Sequence, residues 1–146
     1  KPKAIVHNIT DLIRSAWGKN ISIVPSLGNN DVTPDYFLDI QHPTEILEMV
    51  TQGLEDVLET ETEWSTFRLG GYLARNVADH MTVLSLNTLL YATAHSPDQS
   101  HVSDPLDQFA WLQKQLAVAQ TANRKVYIAG HIPPALGSYR HSQLWH

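Results

Sequence analysis

The chain has 146 residues, 42% hydrophobic and 17% charged, which is the composition of one globular domain with a real core and excludes a disordered or collagen-like chain. Fifteen acidic against ten basic residues leave a net charge of −5, and the basic residues are scattered, with Arg124-Lys125 the one adjacent pair, so no nucleic-acid groove is expected. The absence of cysteine removes disulfides, thiolate chemistry and Cys-type zinc sites, and no apolar run approaches the ~18 residues of a membrane span.

The chain begins Lys-Pro-Lys-Ala, without Met or the apolar core of a signal peptide, and reads as a piece of a longer protein. Residues 8–18 predict a helix, with Ile9, Leu12, Ile13 and Ala16 on one face, Asn8 or Thr10 as N-cap and Gly18 as the stop. Ile21, Ile23 and Val24 then predict a buried strand bounded by Pro25. The turn-forming run Gly28-Asn29-Asn30-Asp31 sits on a loop at its C-terminal end. From Thr44, as cap, to about Glu59 a second helix is expected. Its apolar stripe is Ile46, Leu47, Val50, Leu54, Val57 and Leu58, opposite a solvated face of Glu45, Glu48, Glu55 and Glu59.

Gly70-Gly71 breaks that pattern. Two extended segments follow, Tyr72–Val77 and Met81–Tyr91, joined near Asp79-His80 as a hairpin whose second arm is apolar enough to be a central strand. Residues 92–103 read as an exposed loop. Asp104 as N-cap and Pro105 at the first helical position open a helix to Asn123, with Phe109, Leu112, Leu116 and Ala119 on one face. Val126–Ala129 is a short strand ending in the loop Gly130-His131-Ile132-Pro133-Pro134. Helices alternating with short strands predict a layered α/β or α+β domain, with ligands at the strand carboxyl ends.

The chemistry concentrates in two loops. Gly28-Asn29-Asn30-Asp31 taken alone is a turn, and His131 taken alone is an imidazole packed beside prolines; together they offer an amide oxygen and a neutral imidazole, both suited to a hydrolytic divalent metal. Asp31 either orients Asn29 or closes the turn. Asn87 and Thr88 end a strand, where a local hydrogen bond is one reading. His95, His101 and His141 lie in polar stretches where exposure is expected, and Arg140 follows His131 closely enough to meet a substrate oxygen. The Trp residues at 17, 64, 111 and 145 read as core or surface anchors.

Four segments, Pro-Ser-Leu-Gly-Asn-Asn-Asp (25–31), Leu-Ser-Leu-Asn-Thr-Leu-Leu-Tyr (84–91), Asp-Pro-Leu-Asp-Gln-Phe-Ala-Trp-Leu (104–112) and Ile-Ala-Gly-His-Ile-Pro-Pro (128–134), occur in the order and spacing of calcineurin-like metallophosphoesterases. Within that superfamily the chain resembles the acid sphingomyelinase-like branch and, more narrowly, the endopolyphosphatases, over nearly its whole length. The resemblance implies part of a β-sandwich flanked by helices, with a site for two divalent metal ions (Zn, Mn, Fe, Mg or Co) at one edge. Asn29 and His131 match two ligands of the same metal, Asn87 and Thr88 match the family's strand-end Asn-Thr, and Asn30, Asp31, Asn87 and Arg140 become candidates for supporting the ligands or touching substrate. The family's early Asp-x-His and Gly-Asp motifs and its final Gly-His-x-His are expected before Lys1 and after His146. Residues 1–146 then form one incomplete catalytic domain, inactive by itself, binding divalent ions weakly and prone to self-association through uncovered edges.

The family commonly places a histidine after the motif asparagine to assist the leaving group; this sequence has Asn30, which cannot donate a proton as an acid. A phosphate leaving from an anhydride needs that help less than an alkoxide, so the departure favours polyphosphate over sphingomyelin. The lack of cysteine agrees, since sphingomyelinases are disulfide-rich. The alternatives are an acid sphingomyelinase-like phosphodiesterase or a noncatalytic binding module of the same fold. The resemblance also implies a vacuolar, lysosomal or secreted glycoprotein, with sequons at Asn8-Ile9-Thr10 and Asn20-Ile21-Ser22 and the eight histidines, whose protonation would carry the charge from −5 to +3, in support.

Overall fold

The computed structural model describes residues 2–134; Arg140, His141 and Trp145 lie outside the described residues. Among the described residues, four α-helices, α1 (Pro2–Trp17), α2 (Thr44–Gly53), α3 (Glu61–Gly70) and α4 (Gln108–Thr121), accompany three strands, β1 (Leu73–Ala78), β2 (Met81–Ser85) and β3 (Lys125–Ala129). The fold class is α+β. The described residues hold one small mixed sheet, in the order β1-β2-β3.

The hairpin and its central second arm form as expected: β1 pairs antiparallel with β2, Leu73 opposite Ser85, with an irregularity between Asn76 and Ala78. β2 is shorter than its apolar run, because the chain turns after Ser85 into a 3-10 turn at Thr88–Tyr91 that keeps Leu89, Leu90 and Tyr91 buried without a ladder. β3 lies parallel to β2, Met81 opposite Lys125 and Ser85 opposite Ala129, after the crossover through α4. That register brings the segments following β2 and β3 to the same end of the sheet.

Several local expectations yield to tertiary contacts. The first helix starts at Pro2, not at Asn8 or Thr10, and its inward face is Val6, Thr10 and Ile13, leaving Ile9 and Leu12 exposed. Residues 21–24 join no ladder; side chains hold the segment, with Arg75 Nη1 donating to the Ile23 carbonyl (2.7 Å) and Ser85 Oγ to that of Pro25 (2.7 Å). Thr44 is the first residue of α2 and Pro43 stands at its cap. The helix ends at Gly53, and Leu54, Val57 and Leu58 reach the interior from a following turn. That turn frees the chain for α3, a helix whose residues carry no clear apolar stripe in the sequence. Thr60 caps it by accepting from the Glu63 N–H (3.2 Å), and Gly71, at φ +72, ends it with its N–H on the Phe67 carbonyl.

Asp107, not Asp104, stands at the cap of the last helix, although the Asp104 carboxylate accepts from the N–H groups of Phe109 and Ala110 at 2.8 and 3.0 Å. Pro105 opens a separate 3-10 turn, since Leu106 and Asp107 take left-handed φ values of 56° and 55°, and α4 begins at Gln108. Leu116 is exposed rather than part of a buried stripe. In the loop 92–103, His101 is exposed as expected, but His95 is buried, its Nε2 donating to the Leu38 carbonyl at 2.9 Å.

One apolar cluster ties the elements together, including Leu27, Leu47, Phe67, Leu73, Leu89 and Ile132. Trp64 packs on its edge beneath the Arg68 guanidinium, Trp111 lies against Tyr72 with ring centres 4.6 Å apart, and Trp17 is exposed. Beside the cluster, Arg75 is 3% exposed and reaches both carboxylate oxygens of Glu63, the Val57 carbonyl and Glu59 Oε1 (2.9 Å). Glu59 therefore anchors a buried cation rather than facing solvent freely, and Glu48 pairs with Arg68 at 3.0 Å. Burial alone would raise the Glu63 carboxyl; the Arg75 hydrogen bond and the Glu59 N–H outweigh it and hold the group below its ordinary value.

Candidate metal centre

The segment 21–28 leads into a 3-10 turn at Asn29–Asp31. Asp31 closes that turn, its carboxylate accepting from the Gly28 N–H (2.8 Å) while its own N–H donates to the Gly28 carbonyl (3.2 Å). These bonds are the turn-closing geometry, one of the two readings open for Asp31. Gly28 is buried, and a Cβ there would stand 3.0–3.1 Å from three atoms of the His131 ring, so glycine is what lets the two loops approach.

His131 arrives from the other side. The Ile132 N–H donates to Thr88 Oγ1 at 2.8 Å, and a Cβ on Gly130 would lie 2.6 Å from Thr88 Cγ2, so the loop after β3 is pressed onto the turn after β2. The result is a contact between residues 102 apart in sequence, with His131 Nε2 at 2.9 Å from Asn29 Oδ1. Asn29 Nδ2 donates to Asp35 Oδ1 at 2.8 Å. Because an ionised carboxylate only accepts, this bond identifies the amide end turned away from His131 as the NH₂ and the end facing it as oxygen. His131 Nε2 is then the donor in the contact.

The remaining candidates fall in different places. Asn30 is exposed, at the rim of a cleft of about 640 Å³ between α1 and α2 whose wall is mainly apolar, with Ile9, Ile13, Ile23, Met49 and Phe67 among its residues. Asn87 is fully buried: its Nδ2 donates to the Gly70 carbonyl (2.9 Å), its N–H to Gln108 Oε1 (2.7 Å), and its Oδ1 has no partner among the described residues. It faces the end of α3, and both bonds join residues far apart in sequence, so they are tertiary contacts rather than the local bond that the strand end suggests. Arg140 lies outside the described residues. Asp35 was passed over in sequence, because nothing short of the loop's closure, with the Tyr36 N–H on the Asn29 carbonyl, reveals that it returns to Asn29.

Two donors held about 2.1 Å from one ion, at about 90–110° to each other, stand roughly 3.0–3.4 Å apart. The observed 2.9 Å between an amide oxygen and an imidazole nitrogen fits a shared cation with little movement. The described residues contain no cluster of three or more His, Cys, Asp or Glu able to enclose a metal. Within them, the arrangement supplies one edge of a coordination sphere.

No protein-family model matches the chain. It is 34% identical over 142 residues to a protein of Dictyostelium discoideum named Sphingomyelinase phosphodiesterase D, a match covering 92% of this chain and 30% of that one. It is 32% identical over 146 residues to the Endopolyphosphatase of Cryptococcus neoformans, covering 94% of this chain and 21% of the relative. The human Cyclic GMP-AMP phosphodiesterase SMPDL3A is 32% identical over 133 residues, 88% of this chain and 28% of its own length. The chain thus spans less than a third of these relatives.

Proposed function

We propose that the chain belongs to the metallophosphoesterases, in the branch shared by acid-sphingomyelinase-like phosphodiesterases and endopolyphosphatases, and that it forms the middle of a catalytic domain hydrolysing phosphoanhydrides with two divalent cations. In this reading Asn29 and His131 hold one of the cations, and the other ligands come from the rest of the whole protein. The single observation carrying it is the pairing of Asn29 Oδ1 with His131 Nε2 across two loops that Gly28 and Gly130 allow to meet.

When bound, a divalent pair polarises a phosphoryl oxygen and lowers the pKa of the attacking water. The chain's own residues then have defined tasks. Asn29 presents a neutral oxygen. His131 offers Nε2 to a cation in the neutral tautomer that carries its proton on Nδ1, so the proton now shared with Asn29 has to move to the other ring nitrogen. Asn30, where a general acid would serve an alkoxide, offers an amide, and the cleft it borders is lined by no imidazole, ammonium or guanidinium among the described residues. A leaving phosphate needs no such proton, which supports polyphosphate as the substrate class.

A second reading, a phosphodiesterase acting on an amphiphilic ester, draws on the apolar cleft beside Asn30 and on the names of the relatives. For location we propose a vacuole, a lysosome or the cell exterior, supported by the exposure of both sequon asparagines, Asn8 and Asn20. In the complete protein, His131→Ala is expected to abolish divalent-dependent hydrolysis of long polyphosphate; near-normal turnover refutes the site. Rates on polyphosphate and on a phosphodiester, measured with one preparation, separate the two readings, and a strong preference for the diester replaces the first by the second.

A further inference from the structure

We propose that Asp35 is the positioning residue that decides which end of the Asn29 amide faces the cation. The two ends of a carboxamide are nearly equal in shape and opposite in chemistry: the oxygen ligates a cation and the NH₂ repels it. Half a turn about the terminal side-chain torsion exchanges them, and that torsion is broad and roughly two-fold, so it sets little preference by itself. Asp35 Oδ1, 2.8 Å from Nδ2, accepts from the NH₂ and would repel the oxygen, which selects the orientation that turns Oδ1 to His131. The same bond polarises the amide and increases the electron density on its oxygen.

The main chain brings the carboxylate back to this place. The Tyr36 N–H donates to the Asn29 carbonyl (3.3 Å), the Phe37 N–H to that of Pro34 (3.0 Å), and Tyr36 takes a left-handed φ of 62°. Together with the Asp31 bonds to Gly28, these make residues 28–37 a loop folded on Asn29. Asp31 has a different partner, its Oδ2 accepting from the Gly28 N–H. Asp35 is exposed, so its role is orientation of a neighbour rather than support of the core.

This inference rests on the metal-binding reading of Asn29 and His131, and the test keeps the two apart. The affinity of the complete protein for Mn²⁺ alone, read by competition with a chelator, is measured for wild type, His131→Ala, Asp35→Ala and Asp35→Asn, with the thermal midpoint of each metal-free protein as a folding control. Asp35→Ala is expected to weaken Mn²⁺ binding about tenfold with an unchanged midpoint, in line with other residues that orient metal ligands. Asp35→Asn, whose amide can turn either its oxygen or its NH₂ to Asn29, is expected to fall between wild type and Asp35→Ala. An Asp35→Ala protein within about twofold of wild type, or one whose thermal midpoint falls together with its affinity, overturns the orientation role. If His131→Ala leaves Mn²⁺ affinity untouched, the metal-binding reading falls and this inference with it.

Discussion

The two arms that meet at the candidate site are held by different means. His131 follows β3, whose five residues stand in parallel register with β2, and the next N–H, that of Ile132, is taken up by Thr88. Asn29 follows an extended segment outside any ladder, located by Arg75 on the Ile23 carbonyl and Ser85 on that of Pro25. A ladder spreads the task of placement over many equivalent bonds, whereas the Asn29 arm depends on a few side chains distant in sequence. Single substitutions should therefore displace the Asn29 arm more readily than the His131 arm.

The largest test of that contrast is Arg75→Ala. It removes the bonds to Ile23 and Val57 and leaves the Glu63 carboxylate buried without its cation, so a loss of about 3–5 kcal/mol in urea unfolding is expected. A loss below about 1 kcal/mol would mean that the Asn29 arm is held by something other than this network. On the other arm, Thr88→Val keeps the methyl that packs against Gly130 and removes the hydroxyl that accepts from Ile132. The expected cost is smaller, about 1–2 kcal/mol by the same measurement, with Thr88→Ser close to wild type. Equal losses for Arg75→Ala and Thr88→Val would erase the difference between the arms.

The smallest effect concerns pH. His7 on α1 lies 2.8 Å from Asp56 and 3.3 Å from Asp11, and its pKa is raised first by the hydrogen bond to Asp56 and then by the charges of Asp11 and Asp56. A raised base stabilises the fold fully below its ordinary value of 6.5, and the contribution is lost as pH rises through the folded value. Glu63 acts in the opposite direction: its lowered carboxyl contributes fully above its ordinary value, and the contribution is lost as pH falls through the folded one. Unfolding midpoints against pH should show both slopes, with His7→Gln removing only the upper one. Because His7 is exposed, that slope should also fade with added salt. A His7→Gln profile that keeps the upper slope would assign it elsewhere.

What was legible in the sequence follows the range of the forces involved. The β1-β2 hairpin, β3 and the two loops bearing Asn29 and His131 were readable because alternation, turn residues and a glycine before each loop act within a few residues. The strand assigned to 21–24 failed although its residues favour extension. A strand needs a ladder partner as well as a propensity, and among the described residues this segment meets side chains instead. The second helix is shorter than its apolar spacing suggests, because Leu54, Val57 and Leu58 keep that spacing while they sit in a turn after Gly53. His95 was assigned to solvent by its polar neighbours, and a carbonyl 57 residues away draws it inward.

By itself the sequence pointed to a resemblance to metallophosphoesterases and to a layered α/β or α+β domain, and it named the two residues whose approach defines the candidate site, since motif order and local periodicity are written residue by residue. Only the tertiary structure decided that Asn29 and His131 come within 2.9 Å, that Asp31 closes a turn while Asp35 turns the amide, and that Arg75 carries the segment leading to them. Each of these is a contact between side chains and groups placed by separate elements or by a closed loop. Their energies depend on distance in space, which a pattern along the chain does not contain.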